Sequence, residues 1–199
     1  MKKEEIKPTG VETESREMKF LVCDTFGSIS DSPWEEKWVA SPIQCLDKAV
    51  EWKPKVIVVS FMRISIRERE ALLELSAALK RNSHTKQCTV LALLPSKHRK
   101  LTEDPKQAKV DYIRYLGDAK PDSNLVRGTI QDLGPADSPG RHLEILCPFL
   151  HYSKIDSQHE MTVCRAYLDR MVLGARRLQQ WCETENHLLC EHYLDPRVK

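Results

Sequence analysis

The sequence has no long run of apolar residues, so it offers no segment of the about 20 residues that a membrane-spanning helix needs. Its first residues also lack the apolar centre of a secretory signal peptide. Neither charge dominates, with 31 Lys and Arg against 29 Asp and Glu, which argues against binding to nucleic acid or a membrane surface. We therefore expect a cytoplasmic protein, with residues 1–17 as a disordered arm.

Glycine is scarce, at 7 of 199 residues, and no glycine-rich phosphate-binding loop or zinc-protease motif occurs. Cysteine is plentiful by comparison, also with 7 residues. Disulfides are rare in the cytoplasm, and the odd number argues against a complete disulfide framework. These cysteines should therefore be free, catalytic or metal-bound.

Residues 18–117 alternate apolar, strand-like runs with helical patterns. The predicted strands are residues 19–24, 37–41, 55–61, 88–95 and 112–117, and the predicted helices are residues 42–52, 67–82 and 104–110. Apolar strands that alternate with helices indicate a parallel sheet covered on both faces. The predicted fold class is α/β, a doubly wound five-stranded parallel sheet with a small C-terminal cysteine-rich module.

Beyond this domain, residues 118–140 contain several glycine and proline turn signals and are interpreted as a linker. Residues 141–199 form a second unit that is too short to build much of a core by itself. Units of this size often depend on a metal or on a partner surface. The basic loop SKHRK, residues 96–100, follows the fourth strand and is expected to be solvated.

The segments LDKAVEWKPKVIVVSF and VDYIRYLG resemble the receiver domain of bacterial response regulators. That resemblance implies a magnesium site after the first strand and a phosphoryl-accepting Asp at the end of the third. This chain has Ser60 and Phe61 at the end of the third strand, Asp24 after the first, and Arg114 near the position of the fifth-strand lysine. The resemblance therefore implies the fold without the phosphotransfer chemistry, which favours a pseudo-receiver that docks a protein partner.

Four cysteines of the C-terminal unit, with one histidine, form the candidate metal site: Cys147, Cys164, Cys182, Cys190 and His187. Thiolates and imidazoles suit zinc, and thiolates also hold iron–sulfur clusters. Three interpretations remain open. All four cysteines bind one metal or cluster, or a smaller site uses Cys182, His187, Cys190 and one further ligand, or the cysteines are structural thiols.

Geometry separates these interpretations. Residues 161–182 have apolar residues at helical spacing, and a single straight helix would hold Cys164 and Cys182 about 27 Å apart at 1.5 Å per residue. One metal could not then bind both. A shared site requires the chain to reverse, and Gly174 is the predicted position for that reversal.

The segments CPFL, VCRAY and CETENHLLCEHY also resemble a small cysteine-rich module that recurs in proteins of anaerobic bacteria. This resemblance implies a shared structure and the binding of a metal or cluster. The chain departs from the pattern at Glu191, where the module prefers proline.

The predicted function is a non-enzymatic regulatory or interaction adaptor. Its cofactor would be an iron–sulfur cluster or zinc, undecided between the two, and the site would sense redox state. A protein partner is expected, and homo-oligomer formation is left open. One alternative is a small metal- or cysteine-dependent enzyme that uses Cys182, activated by His187, or an open position on the metal. Another is a protein- or DNA-binding output unit built on a helix over residues 161–181.

Overall fold

The computed structural model describes residues 19–27, 35–156, 159–166 and 171–197, so the arm predicted over residues 1–17 lies outside the described residues. Its larger sheet has five strands: β1 Phe20–Cys23, β2 Glu36–Val39, β3 Val56–Ser60, β4 Thr89–Leu94 and β5 Tyr112–Tyr115. All neighbouring strands are parallel, in the order β2-β1-β3-β4-β5. This order is that of doubly wound, flavodoxin-like sheets, and it confirms the predicted fold class.

Helices cover both faces of this sheet. They are α1 Pro42–Trp52, α2 Ile66–Arg81, α3 Arg99–Gln107 and α4 Ser123–Gln131. The first three bury apolar side chains on one face, and α4 packs Val126 and Ile130 on the other. Every residue of β3 is buried, as expected for the central strand of a sheet covered on both sides.

The third helix starts earlier than its sequence pattern predicts. Its start was expected at Asp104, directly before Pro105, a residue that is common in the first turn of helices. The structure begins α3 at Arg99 instead, because the Nδ1 atom of His98 accepts the N–H of Leu101 at 3.1 Å and caps the helix. Histidine is an unusual cap, so the sequence gives little sign of it.

Residues 123–131 are a helix and not part of a linker. The carboxylate of Asp122 accepts the N–H of Leu125 at 2.8 Å and starts α4 as an ordinary N-cap. Turn-forming residues on both sides of this segment obscured its two buried apolar positions, Val126 and Ile130, in the sequence. A short 3-10 turn, Pro135–Asp137, and helix α5, Pro139–Ile145, follow.

The C-terminal unit contains a second, antiparallel sheet in the order β6-β7-β8. Its strands are β6 Leu150–Lys154, β7 Glu160–Cys164 and β8 Met171–Val172. The chain continues through α6 Ala175–Arg177, a π-helical turn Leu178–Cys182, a 3-10 turn Glu185–Leu189 and α7 Glu191–Leu194. No helix in the described ranges has both the length and the apolar character needed to cross a bilayer.

The single helix considered for residues 161–182 does not form. Cys164 pairs with Leu150 on one side and with Met171 on the other, so strand pairing takes the place of helical hydrogen bonds. The chain does reverse, but between β7 and β8 rather than at Gly174, which instead lies directly before α6. A recognition helix over residues 161–181 is therefore excluded.

Candidate metal centre

Cysteines from four separated segments meet in the C-terminal unit. Cys147 follows α5, Cys164 ends β7, Cys182 ends the π-helical turn, and Cys190 immediately precedes α7. The first three are buried in one apolar cluster, and all four line one small cavity of about 10 Å³. The backbone N–H of Cys147 also donates to the carbonyl of Cys182 at 2.8 Å. The four cysteines therefore meet at one place, as a shared metal site would require.

Cys147 lies at the start of a tight turn that directs backbone donors at its sulfur. Burial raises the pKa of the Cys147 thiol, while the N–H groups of Phe149 and Leu150 lower it by hydrogen bonding to the sulfur. The N–H of Leu150 also donates to the Cys147 carbonyl at 3.1 Å, which closes the turn. Burial outweighs these hydrogen bonds, so the net pKa of the free Cys147 thiol is raised, although the two donors would stabilise a thiolate if a metal were bound.

The thiol of Cys182 is shielded from water and close to the other three. Burial raises the pKa of Cys182 to about 12, and repulsion from Cys147, Cys164 and Cys190 contributes, while the guanidinium of Arg177 opposes the shift. A free Cys182 would thus be protonated at neutral pH and a poor nucleophile. A bound cation would remove the repulsion and deprotonate its thiol ligands.

His187 is buried and held in one tautomer. Its Nδ1 lies 2.7 Å from the carbonyl of Thr184, and because a carbonyl can only accept, Nδ1 carries the proton. In the neutral form of the ring, the other nitrogen, Nε2, has a lone pair that could bind a metal. Metal-ligating histidines are commonly oriented by such a bond from their second nitrogen to a backbone carbonyl. The imidazole ring also packs edge-on against Tyr193, with ring centroids 5.1 Å apart.

Both His187 and His192 line the same cavity as the four cysteines. His192 was absent from the predicted ligands, although its position two residues after Cys190 could have drawn attention to it. Among the described residues, however, no three His, Cys, Asp or Glu side chains are arranged as a metal-binding group. The structure therefore brings the predicted residues to one pocket without placing them as a coordination sphere.

A second cluster joins the cysteine unit to the carboxyl edge of the large sheet. The guanidinium of Arg69 donates to both carboxylate oxygens of Glu160, at 2.8 and 3.2 Å. The Nε2 atom of His98 is 3.2 Å from the same carboxylate. Since Nδ1 of His98 accepts from the backbone, Nε2 is the protonated nitrogen and donates to Glu160.

The electrostatics of this cluster favour a neutral histidine beside a bidentate ion pair. Burial lowers the pKa of His98 to about 4, so the ring is neutral at pH 7. Burial also acts to raise the pKa of Glu160, but Arg69 and His98 outweigh it and the net shift is downward. Bidentate arginine–carboxylate pairs combine strength with a fixed geometry, so this pair orients β7 on α2.

Three side chains of the basic loop, residues 96–100, contact the cysteine unit, while Ser96, Lys97 and Lys100 remain exposed as expected. The ring of His98 stacks on Tyr152 at a centroid distance of 3.4 Å. The side chain of Arg99 donates to the carbonyl of Leu146 at 2.8 Å, and Lys97 reaches the carbonyl of Glu183 at 3.5 Å. The cysteine unit therefore covers part of the edge where parallel α/β sheets usually bind ligands.

Three residues that the sequence resemblance matched to a phosphotransfer site, Asp24, Ser60 and Arg114, lie at or near this edge. Asp24 is buried, and its Oδ1 accepts the N–H of Phe26 at 3.2 Å. Ser60 is fully buried, and its hydroxyl has no hydrogen-bond partner among the described residues. Arg114 pairs with Asp137 at 3.1 Å. A buried hydroxyl cannot replace the carboxylate nucleophile that an acyl phosphate requires.

We expect no phosphoryl transfer to this chain from acetyl phosphate in the presence of Mg²⁺, as read by intact-protein mass spectrometry. A Ser60→Asp variant should also stay unmodified, because the new carboxylate would replace a fully buried hydroxyl and would be shielded from the phosphoryl donor. A gain of one phosphoryl group by the unaltered protein would contradict the interpretation of this domain as a pseudo-receiver.

Comparison with known proteins adds little beyond the fold. No protein-family model matches the chain, and no curated protein matches it. Among solved structures, the chain is similar to the chemotaxis response regulator CheY4 of Vibrio cholerae, at 20% identity and a TM-score of 0.43, over 58% of this chain and 98% of that one. It is also similar to the N-terminal domain of a response regulator receiver protein from Methanoculleus marisnigri JR1, at 16% identity and a TM-score of 0.37, over 58% and 95% of the two chains.

Proposed function

We propose that this chain is a non-enzymatic regulatory adaptor in which a receiver-like domain without a phosphoacceptor carries a cysteine module that binds one metal ion. The observation that carries the proposal is the convergence of Cys147, Cys164, Cys182 and Cys190 on one cavity from separated parts of the chain. Buried cysteines are common as small apolar residues. A chance grouping of four, with an oriented histidine, is much less expected.

The ligand set contains the three buried cysteines and one of two further groups. Cys190 is half-buried at the mouth of the cavity, and His187 is buried with Nε2 available. Zinc takes four such ligands, either four thiolates or three thiolates and an imidazole. We assign Cys147, Cys164 and Cys182 to the site in both cases.

Zinc fits this cavity better than an iron–sulfur cluster. A volume of about 10 Å³ is close to the least that holds a single water molecule, whereas a cluster contains several iron and sulfide atoms. The buried imidazole of His187 also points to zinc, since clusters are mostly held by thiolates alone. A redox-sensing cluster is thus the second candidate for the metal.

The structure disfavours the enzymatic alternative based on Cys182 and His187. A nucleophilic thiol needs a lowered pKa and a base in reach. Burial raises the pKa of Cys182 to about 12, so its thiol is protonated and a poor nucleophile at neutral pH. An adaptor needs no activated nucleophile.

The expected partner of this adaptor is another protein that recognises the receiver-like domain together with the cysteine module.

Metal analysis of protein purified without oxygen tests the proposal. We expect about one zinc per chain and a colourless solution. The Cys164→Ser variant should lose the metal, whereas Cys88→Ser, which alters a buried cysteine in the core of the large domain, should keep it. A brown protein that absorbs near ~400 nm would assign a cluster instead. Protein that contains neither metal would overturn the metal site.

A further inference from the structure

Exposed apolar side chains are concentrated in the last part of the chain. Five of the eight large apolar side chains that are exposed among the described residues lie between residues 172 and 194. They are Val172, Trp181, Leu188, Leu189 and Leu194. Single exposed apolar residues are normal, but a local concentration marks a binding surface.

Two of these side chains, Trp181 and Leu189, line one open cavity of about 690 Å³. This volume falls within the range of small-molecule sites, which are typically apolar with a few polar groups. The polar groups here come mainly from one helical turn: Arg176, Arg177 and Gln180. The cavity therefore combines an aromatic wall, an aliphatic wall and two guanidinium groups.

The charge of this cavity is positive. Arg176 is exposed and pairs with no acidic side chain among the described residues. Arg177 is 3.6 Å from the carboxylate of Glu191, and both side chains are exposed, so the attraction is weak. Glu191 is the one acidic residue among those that line the cavity. A ligand with negative charge would gain from Arg176 without displacing an existing partner.

We propose that this cavity binds a small organic anion, with its apolar body between Trp181 and Leu189 and its acidic group at Arg176. A carboxylate or a phosphate ester on an aromatic or aliphatic frame has this chemistry, because arginine recognises both acids with paired donors. Arg177, Trp181 and Cys190 line both this cavity and the cysteine cavity. The binding surface thus adjoins the candidate metal site and shares these three residues with it.

Two fluorescent probes test the proposal on the full chain as purified. One is 1-anilinonaphthalene-8-sulfonate, an aromatic anion, and the other is N-phenyl-1-naphthylamine, its uncharged relative. Arg176→Gln should weaken binding of the anion about fivefold, the size expected for one exposed ion pair, and should leave the neutral probe unchanged. Leu189→Asn should weaken both probes, because it removes an apolar wall of the cavity.

Arg141→Gln is the matched control, because Arg141 is also exposed but lies on α5 and pairs with Glu144. It should bind both probes as the unaltered protein does. Circular dichroism checks that each variant is folded. Because Arg176 is exposed, its replacement should not disturb the fold. Unchanged anion binding by Arg176→Gln would therefore show that Arg176 does not hold the acidic group, and would overturn the proposal. Equal loss of anion binding in Arg141→Gln would also overturn it, because the attraction would then be nonspecific.

Discussion

If the proposed zinc ion is bound, its removal is expected to unfold the cysteine module and leave the α/β domain folded. The module has a small core, made of the cysteine cluster with Leu150, Ala166 and Leu173, and cores of this size are marginal without a staple. Binding of a structural zinc ion contributes on the order of 10 kcal/mol in comparable small units. Without the zinc ion, any thiolates that remain in the cluster would also repel one another.

Hydrogen exchange followed by mass spectrometry measures this outcome in two regions at once. After chelation, the amides of β6 and β7 should exchange fast, while those of β3 and β4 stay protected. Cys88→Ser, as the control, should show the same metal-dependent protection as the unaltered chain. If the β6 and β7 amides stay protected in protein verified as metal-free, the metal is not structural.

Replacement of Glu160 by alanine is expected to detach the module from the large domain. The variant leaves Arg69 as a largely buried cation without its carboxylate, since the two side chains are only 12% and 16% exposed. Removal of one partner from a buried ion pair costs about 3–5 kcal/mol. His98 would also lose the acceptor of its Nε2 proton. We expect Tyr152 to become more exposed as a result.

Urea unfolding monitored at α2 and β7 by hydrogen exchange gives the magnitude. Glu144→Ala is the matched control, because its pair with Arg141 is exposed, and such pairs contribute about 1 kcal/mol or less. Arg69→Leu in the Glu160→Ala background should recover part of the lost stability, because it removes the unpaired cation. Equal stability of Glu160→Ala and Glu144→Ala would show that the buried pair does not hold the two units together.

The large sheet could be predicted because the residue pattern within each strand is enough to identify it as a strand. A run such as VIVVS in β3 is apolar at every position, and this pattern fits a strand buried on both faces. The short β7 is different, because its pairing with β6 and β8 decides its structure. Its apolar residues happen to continue the helical spacing of the segment that follows, so local pattern alone favoured the wrong element.

The candidate site also has features that the sequence predicts and features that depend on contacts in the folded chain. The four cysteines could be grouped from their residue type and from their separation along the chain. The link between Arg69 and Glu160 joins residues 91 positions apart, and neither residue stands out in a charged, polar sequence. The tautomer of His187 depends on a carbonyl three residues earlier. Such contacts follow only from the folded chain.

Two backbone hydrogen bonds join distant parts of the C-terminal unit. The N–H of Arg197 donates to the carbonyl of Ala166 at 2.8 Å, and Cys182 supplies the carbonyl bound by Cys147. During synthesis, the strands of the large sheet would therefore leave the ribosome well before these two hydrogen bonds could form. A premature stop after Leu146 would remove Tyr152 and Glu183, the partners of His98 and Lys97. The loop of residues 96–100 would then be open to solvent in the shortened product.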